Sequence, residues 1–98
     1  MARAVVRLPR LVLAQAGGVR EHQVEADTVL GALEALCERL PALRPHVFER
    51  RGVPRRHVNV FQNGEILRFK GTLDLDLHDG DEVDVVQAVS GGYSSIQG

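Results

Sequence analysis

The chain changes its apolar period several times, and each change marks an element. From Ala4 to Leu8, apolar Val5, Val6 and Leu8 are mixed with Arg3 and Arg7, which predicts a strand. Pro9 and Arg10 interrupt it, Leu11-Val12-Leu13 is apolar again, and Gly17-Gly18 supplies a turn. From Val19 to Ala26, polar Glu21, Gln23 and Glu25 alternate with His22, Val24 and Ala26, predicting a second strand and hence a hairpin with a long connection. The period then lengthens. Val29, Leu33, Leu36, Cys37 and Leu40 recur at spacings of three and four, one face of a helix, with Glu34, Glu38 and Arg39 off that face. Asp27-Thr28 offers side-chain oxygens to its first turn, and Pro41 ends it.

Leu43 to Arg56 has no clear period. Pro45, Gly52 and Pro54 punctuate it, and Val47-Phe48 is expected to pin it to the core as a short helical turn. Alternation returns in Val58-Asn59-Val60-Phe61-Gln62. Asn63-Gly64 then marks a tight hairpin, because both residues tolerate positive φ, and Glu65 to Phe69 is the return strand. Leu73, Leu75 and Leu77 are expected to face inward from a connection. Asp79-Gly80-Asp81 is a turn, and Glu82 to Val89 a last strand, with Val83 and Val85 on one face and Asp84 and Val86 on the other. A helix between two hairpins predicts an α+β fold, one main helix packed across one face of a mixed sheet of four to five strands. Its first and last strands would lie side by side and parallel.

Composition adds limits. A chain of 98 residues supports one modest core. A net charge of −1 argues against a nucleic-acid partner held through phosphate contacts. No apolar run approaches the roughly 20 residues of a membrane span, and Met1 to Val6 lacks the pattern of a signal peptide, so a cytoplasmic protein without membrane contact is expected. Cys37 is the one cysteine and lies on the helix's apolar stripe, which reads as a core position. His22, His46, His57 and His78 show no metal-ligand spacing, so no metal site is expected. The acidic stretch Asp74, Asp76, Asp79, Asp81 and Asp84 reads as solvated. Arg50-Arg51 and Arg55-Arg56 form a local basic patch, either a solvated loop or a docking surface for an acidic partner.

The end of the chain carries the candidate chemistry. After Ala88-Val89-Ser90 come Gly91-Gly92, with maximal backbone freedom and the smallest cross-section, followed by Tyr93-Ser94-Ser95-Ile96-Gln97-Gly98. Asp27-Thr28-Val29, Val58 to Glu65 with Arg68-Phe69, Leu77 to Val83 and Ala88 to Gly92, in this order and spacing, resemble the MoaD/ThiS family of ubiquitin-like sulfur carriers. Within it, the chain resembles the carriers that serve actinobacterial cysteine synthesis.

The resemblance implies a β-grasp domain over 1–90 and a flexible tail over 91–98. It also implies a non-enzymatic role, in which Gly92 is a co-substrate rather than a catalytic residue. An adenylyltransferase/sulfurtransferase similar to ubiquitin-activating enzyme would use ATP to adenylate the Gly92 carboxylate. Sulfur would then displace AMP and leave a thiocarboxylate for a sulfur-accepting synthase making cysteine, molybdopterin or another sulfur metabolite. No cofactor is expected on the carrier itself.

The chain departs from the family pattern where Gly92 is joined to Tyr93. Three readings of this extension stay open: the protein acts uncleaved, residues 93–98 are not native to it, or, as relatives with such extensions imply, a JAMM-type metallopeptidase cleaves the Gly92–Tyr93 bond. Val86, beside the exit of the tail, is expected to contact partners together with Val89 and Ser90. Two other roles stay open: a protein modifier joined through Gly92 to lysine amines, and a non-covalent β-grasp module.

Overall fold

A computed structural model describes residues 1–67 and 73–87. The elements, in chain order, are β1 (Ala2–Arg7), β2 (Glu21–Ala26), α1 (Val29–Arg39), α2 (Arg44–Val47), β3 (Phe48–Arg50), β4 (Val53–Pro54), β5 (Val58–Gln62), β6 (Glu65–Ile66) and β7 (Asp81–Gln87). Five strands form one sheet in the order β2-β1-β7-β5-β6, and β3 pairs with β4 separately. At the centre β1 and β7 run parallel, with Ala4 opposite Asp81 and Val6 opposite Val83. This is the predicted β-grasp arrangement.

Period-two alternation decides which face of the sheet is covered. Ala4 and Val6 of β1, Val24 and Ala26 of β2, Val58 and Val60 of β5, and Val83 and Val85 of β7 are buried against the helix layer. From that layer come Val29, Ala32, Leu33, Leu36 and Cys37 of α1. Leu33 is 1% exposed. Burying one such side chain is worth roughly 1.5–3 kcal/mol in transfer energy. Burial also pushes the Cys37 thiol up to about 11, so it stays protonated at neutral pH as a core residue. At the helix start the Thr28 hydroxyl accepts from the Gly31 N–H at 3.0 Å, the cap that Asp27-Thr28 predicted. Among the described residues no helix is long and apolar enough to cross a membrane.

The structure corrects three expectations. The β1–β2 connection contains a 3-10 helix, Arg10–Ala16, which buries Val12 and Ala16 and closes with Gly17 at φ 68. Pro9 breaks the strand there, so the apolar Leu11-Val12-Leu13 run winds rather than extends. The segment read as irregular is a short 3-10 turn (Pro41–Leu43), α2 and the small β3–β4 hairpin; Val47 and Phe48 pin it to the core as expected. Leu73 and Leu77 are buried, but Leu75 is 45% exposed. Its contribution is a backbone carbonyl that accepts from the Val29 N–H at 3.1 Å, which fixes the connection to the helix start. The return strand is described only as Glu65–Ile66; Arg68, Phe69 and residues 88–98 lie outside the described residues.

Candidate functional site: the open sheet face and the start of the last strand

β7 occupies the middle of the sheet and is the last described strand before residues 88–92. Its first residue, Asp81, is only 9% exposed despite its charge. The Asp81 carboxylate accepts from Asn63 Nδ2 at 3.0 Å, Gln62 Nε2 at 3.1 Å and the His78 N–H at 2.9 Å. These donors, first that of Asn63, hold its pKa below the usual carboxylate range. Asn63 in turn accepts from the Glu82 N–H at 2.9 Å through its side chain and donates its own N–H to the Glu82 carbonyl at 2.8 Å. The Asn63-Gly64 turn, with φ 51 and 84, is thereby tied to the start of β7. The expectation that the acidic stretch is simply solvated therefore fails at Asp81. Its His78 partner is local, within the turn at 79–81, but Gln62 and Asn63 come from across the sheet, and no local signal in the sequence marks them.

On the open face, Arg7 bridges three strands. It donates to Glu21 at 3.0 Å, Glu82 at 2.9 Å and Asp84 at 3.4 Å. The bond from Arg7 holds Glu82 below its ordinary pKa, and bonds to Glu82, Glu21 and Asp84 raise that of Arg7. Towards residue 88 the same face turns apolar. Phe61 lies opposite both Asp84 and Ile66, and Val86 lies opposite Asn59, so Phe61 and Val86 are diagonal neighbours. Val86 is 43% exposed, while Phe61 and Ile66 are half-buried. The strand phase read from Val83 and Val85 thus holds, with Val86 outward as expected. The corner can present an apolar contact at the point where β7 leaves the described residues.

The other predicted site residues, Val89, Ser90, Gly91, Gly92 and Tyr93, lie outside the described residues. Among those described, no group of three His, Cys, Asp or Glu side chains is disposed to hold a metal ion.

Comparison with known proteins agrees with the architecture. The chain is 39% identical over 83 residues to small archaeal modifier protein 1 of Haloferax volcanii, covering 82% of this chain and 91% of that one. It is 28% identical over 89 residues to sulfur carrier protein CysO of Mycobacterium tuberculosis, covering 89% and 96%. A chain of the Amycolatopsis orientalis BexX/CysO complex superposes with a TM-score of 0.79 at 27% identity, covering 91% of this chain and 99% of that one. The family model described as "ThiS family" matches residues 10–92, and on that match the chain belongs to the ThiS family of ubiquitin-like sulfur carriers.

Proposed function

We propose that this chain is the precursor of a sulfur carrier whose working group is the Gly92 carboxylate. The observation that carries the reading is the family match, which runs to residue 92 and stops at the second glycine of the Gly91-Gly92 pair. In the chain as written, Gly92 is amide-bonded to Tyr93, so residues 93–98 are removed first, by hydrolysis in a JAMM-type metallopeptidase. Residues 91 and 92 then form the tail of a domain spanning 1–90. The freed carboxylate attacks the α-phosphate of ATP in an activating partner, pyrophosphate leaves, and an acyl adenylate results. A sulfur nucleophile displaces AMP and leaves a thiocarboxylate. That sulfur, nucleophilic in its turn, attacks the substrate of an acceptor enzyme in the cytoplasm, and hydrolysis of the resulting acyl–sulfur bond leaves the sulfur on the product and returns the Gly92 carboxylate. Glycine at 91 and 92 suits this path because a side chain beside the reacting carbon would meet the walls of a narrow channel. The carrier supplies aim and recognition rather than catalysis.

The apolar corner of Val86, Phe61 and Ile66 is the face for the activating partner, which also contacts Val89 and Ser90 further along the chain. The Amycolatopsis neighbour belongs to a complex of two proteins, which supports recognition by docking. A second reading is favoured by the relative named a modifier protein. There the same adenylate is attacked by a lysine amine and Gly92 ends in an isopeptide bond.

Pyrophosphate exchange on the cognate activating enzyme tests the proposal. The chain ending at Gly92 should exchange, the intact chain should not, and Gly92→Ala should impair the shortened form. Equal activity of the verified intact chain would overturn the precursor reading. Intact mass after isolation from native cells separates the two products: sulfur for oxygen on Gly92, or a branched adduct.

A further inference from the structure

The segment 44–57 carries five arginines against one glutamate, in a chain of net charge −1. The rest of the chain is therefore net acidic, and the positive charge is concentrated around one small hairpin. That hairpin is firmly based. Phe48 and Pro54 are buried at its foot, the Arg55 N–H donates to the Val47 carbonyl at 2.9 Å, and Gly52 makes the turn with φ 74. Phe48 joins the hydrophobic core, and the groove beside the hairpin is lined by Glu38 of α1, the helix that covers the sheet face opposite to Arg7 and Val86.

Some arginines of this chain are already engaged. Arg3, Arg7 and Arg44 each meet a carboxylate, Arg44 pairing with Glu34 at 2.8 Å while stacking over Phe48 at 5.6 Å. Arg50, Arg51 and Arg56 are exposed and meet no carboxylate among the described residues. Beside them runs a groove of about 640 Å³ between the end of α1, α2 and the hairpin, with Pro41, Pro45 and Phe48 among its lining.

We infer that this hairpin and groove form a second docking surface, separate from the open sheet face of Arg7 and Val86, for an acidic segment of a partner protein. Guanidinium groups match carboxylates in planar, two-pronged geometry, and a preformed hairpin holds them without further ordering. The groove favours protein over nucleic acid. Glu38 and Glu49 stand in its lining among the arginines. An evenly charged phosphate backbone would have to run past both, whereas separated carboxylates can avoid them. The net acidic remainder of the chain also repels a long polyanion. Apolar groups in the lining suit side chains that flank the partner's carboxylates. This surface does not depend on what is attached to Gly92, so its failure and that of the sulfur-carrier reading are distinguishable.

The test is an NMR titration of the isotopically labelled full chain with acetylated hexaglutamate, beside an oligothymidylate of equal charge. The peptide should shift amides of residues 48–57 and the adjoining groove. Affinity should fall steeply with salt and drop roughly tenfold or more in R50E/R51E. R50Q/R51Q, which removes the charges without reversing them, should weaken binding in the same direction and serves if reversal unfolds the chain. Absent binding, shifts centred elsewhere, or unchanged affinity in the folded variants would overturn the proposal. Tighter binding of the oligothymidylate would overturn it in favour of nucleic acid. Concentration-dependent shifts of the hairpin without peptide would overturn it in favour of self-association.

Discussion

On the face of the sheet that meets α1, Val6, Val60, Val83 and Val85 are buried; on the other face the same strands carry Arg7, Phe61, Asp84 and Val86. The first face is filled by shape. The second is laid out by charge at one end and by an apolar corner at the other. Because strand side chains alternate, each residue belongs wholly to one face. The helix-side face can therefore hold the fold together while the open face is free to meet partners. Substitutions should separate along this line, and the start of β7 is where the line is crossed.

The largest effect should come from Leu33→Ala, which removes a fully buried side chain of α1 and leaves a cavity. It should cost about 2–5 kcal/mol in a chemical melt. A cost under about 1 kcal/mol, the range of surface changes, would mean the core does not depend on this contact.

Asp81→Asn should be intermediate, about 2 kcal/mol, because the bonds from Asn63, Gln62 and the His78 N–H lose their charge and one of the two acceptor oxygens becomes a donor. Its pH dependence has a definite sign. Folding lowers the Asp81 pKa, so its contribution is complete above the unfolded carboxyl value of about 4. That contribution vanishes as pH falls through the lower folded value. Melts of wild type and variant should differ most near neutral pH and converge in acid. A gap independent of pH would show that shape, not charge, matters at this position.

Val86→Asp should change stability least, by less than about 1 kcal/mol, as exposed substitutions do. It should nevertheless weaken binding to the activating enzyme, read by calorimetry or by the pyrophosphate-exchange assay. A large loss of stability, or unchanged affinity, would erase the distinction between the two faces at this corner.

How far the sequence reached depends on the range of the forces involved. Thr28, the helix stripe, Asn63-Gly64 and the phase of Val83 to Val86 were legible because each acts over a few residues. The 3-10 helix at 10–16 was hidden because a short apolar run fits a strand as well as a winding turn. The β3–β4 hairpin was hidden because its strands are too short to show a period. Leu75 was misplaced by carrying an alternation through a connection in which no sheet enforces it. Only the His78 contact of Asp81 is local; Gln62 and Asn63 reach it across 19 and 18 residues, which a local pattern does not show. The outward position of Val86 was legible from strand phase, but Phe61 and Ile66 join it only through pairing across the sheet.

The central pair of the sheet also sets an order of events in synthesis. β1 emerges from the ribosome early and β7 last among the described strands, yet β7 must lie between β1 and β5. Until then Val6 has no parallel neighbour at Val83, and the sheet consists of two separate hairpin fragments. Closing contacts so distant in sequence slows folding, because the loop entropy is spent before the contacts form. The same late step joins the two fragments and positions the strand that leads towards residue 92. A nascent or truncated chain lacking β7 would thus have neither a closed sheet nor residues 91 and 92, so the sheet is completed by the same stretch of chain that leads to them.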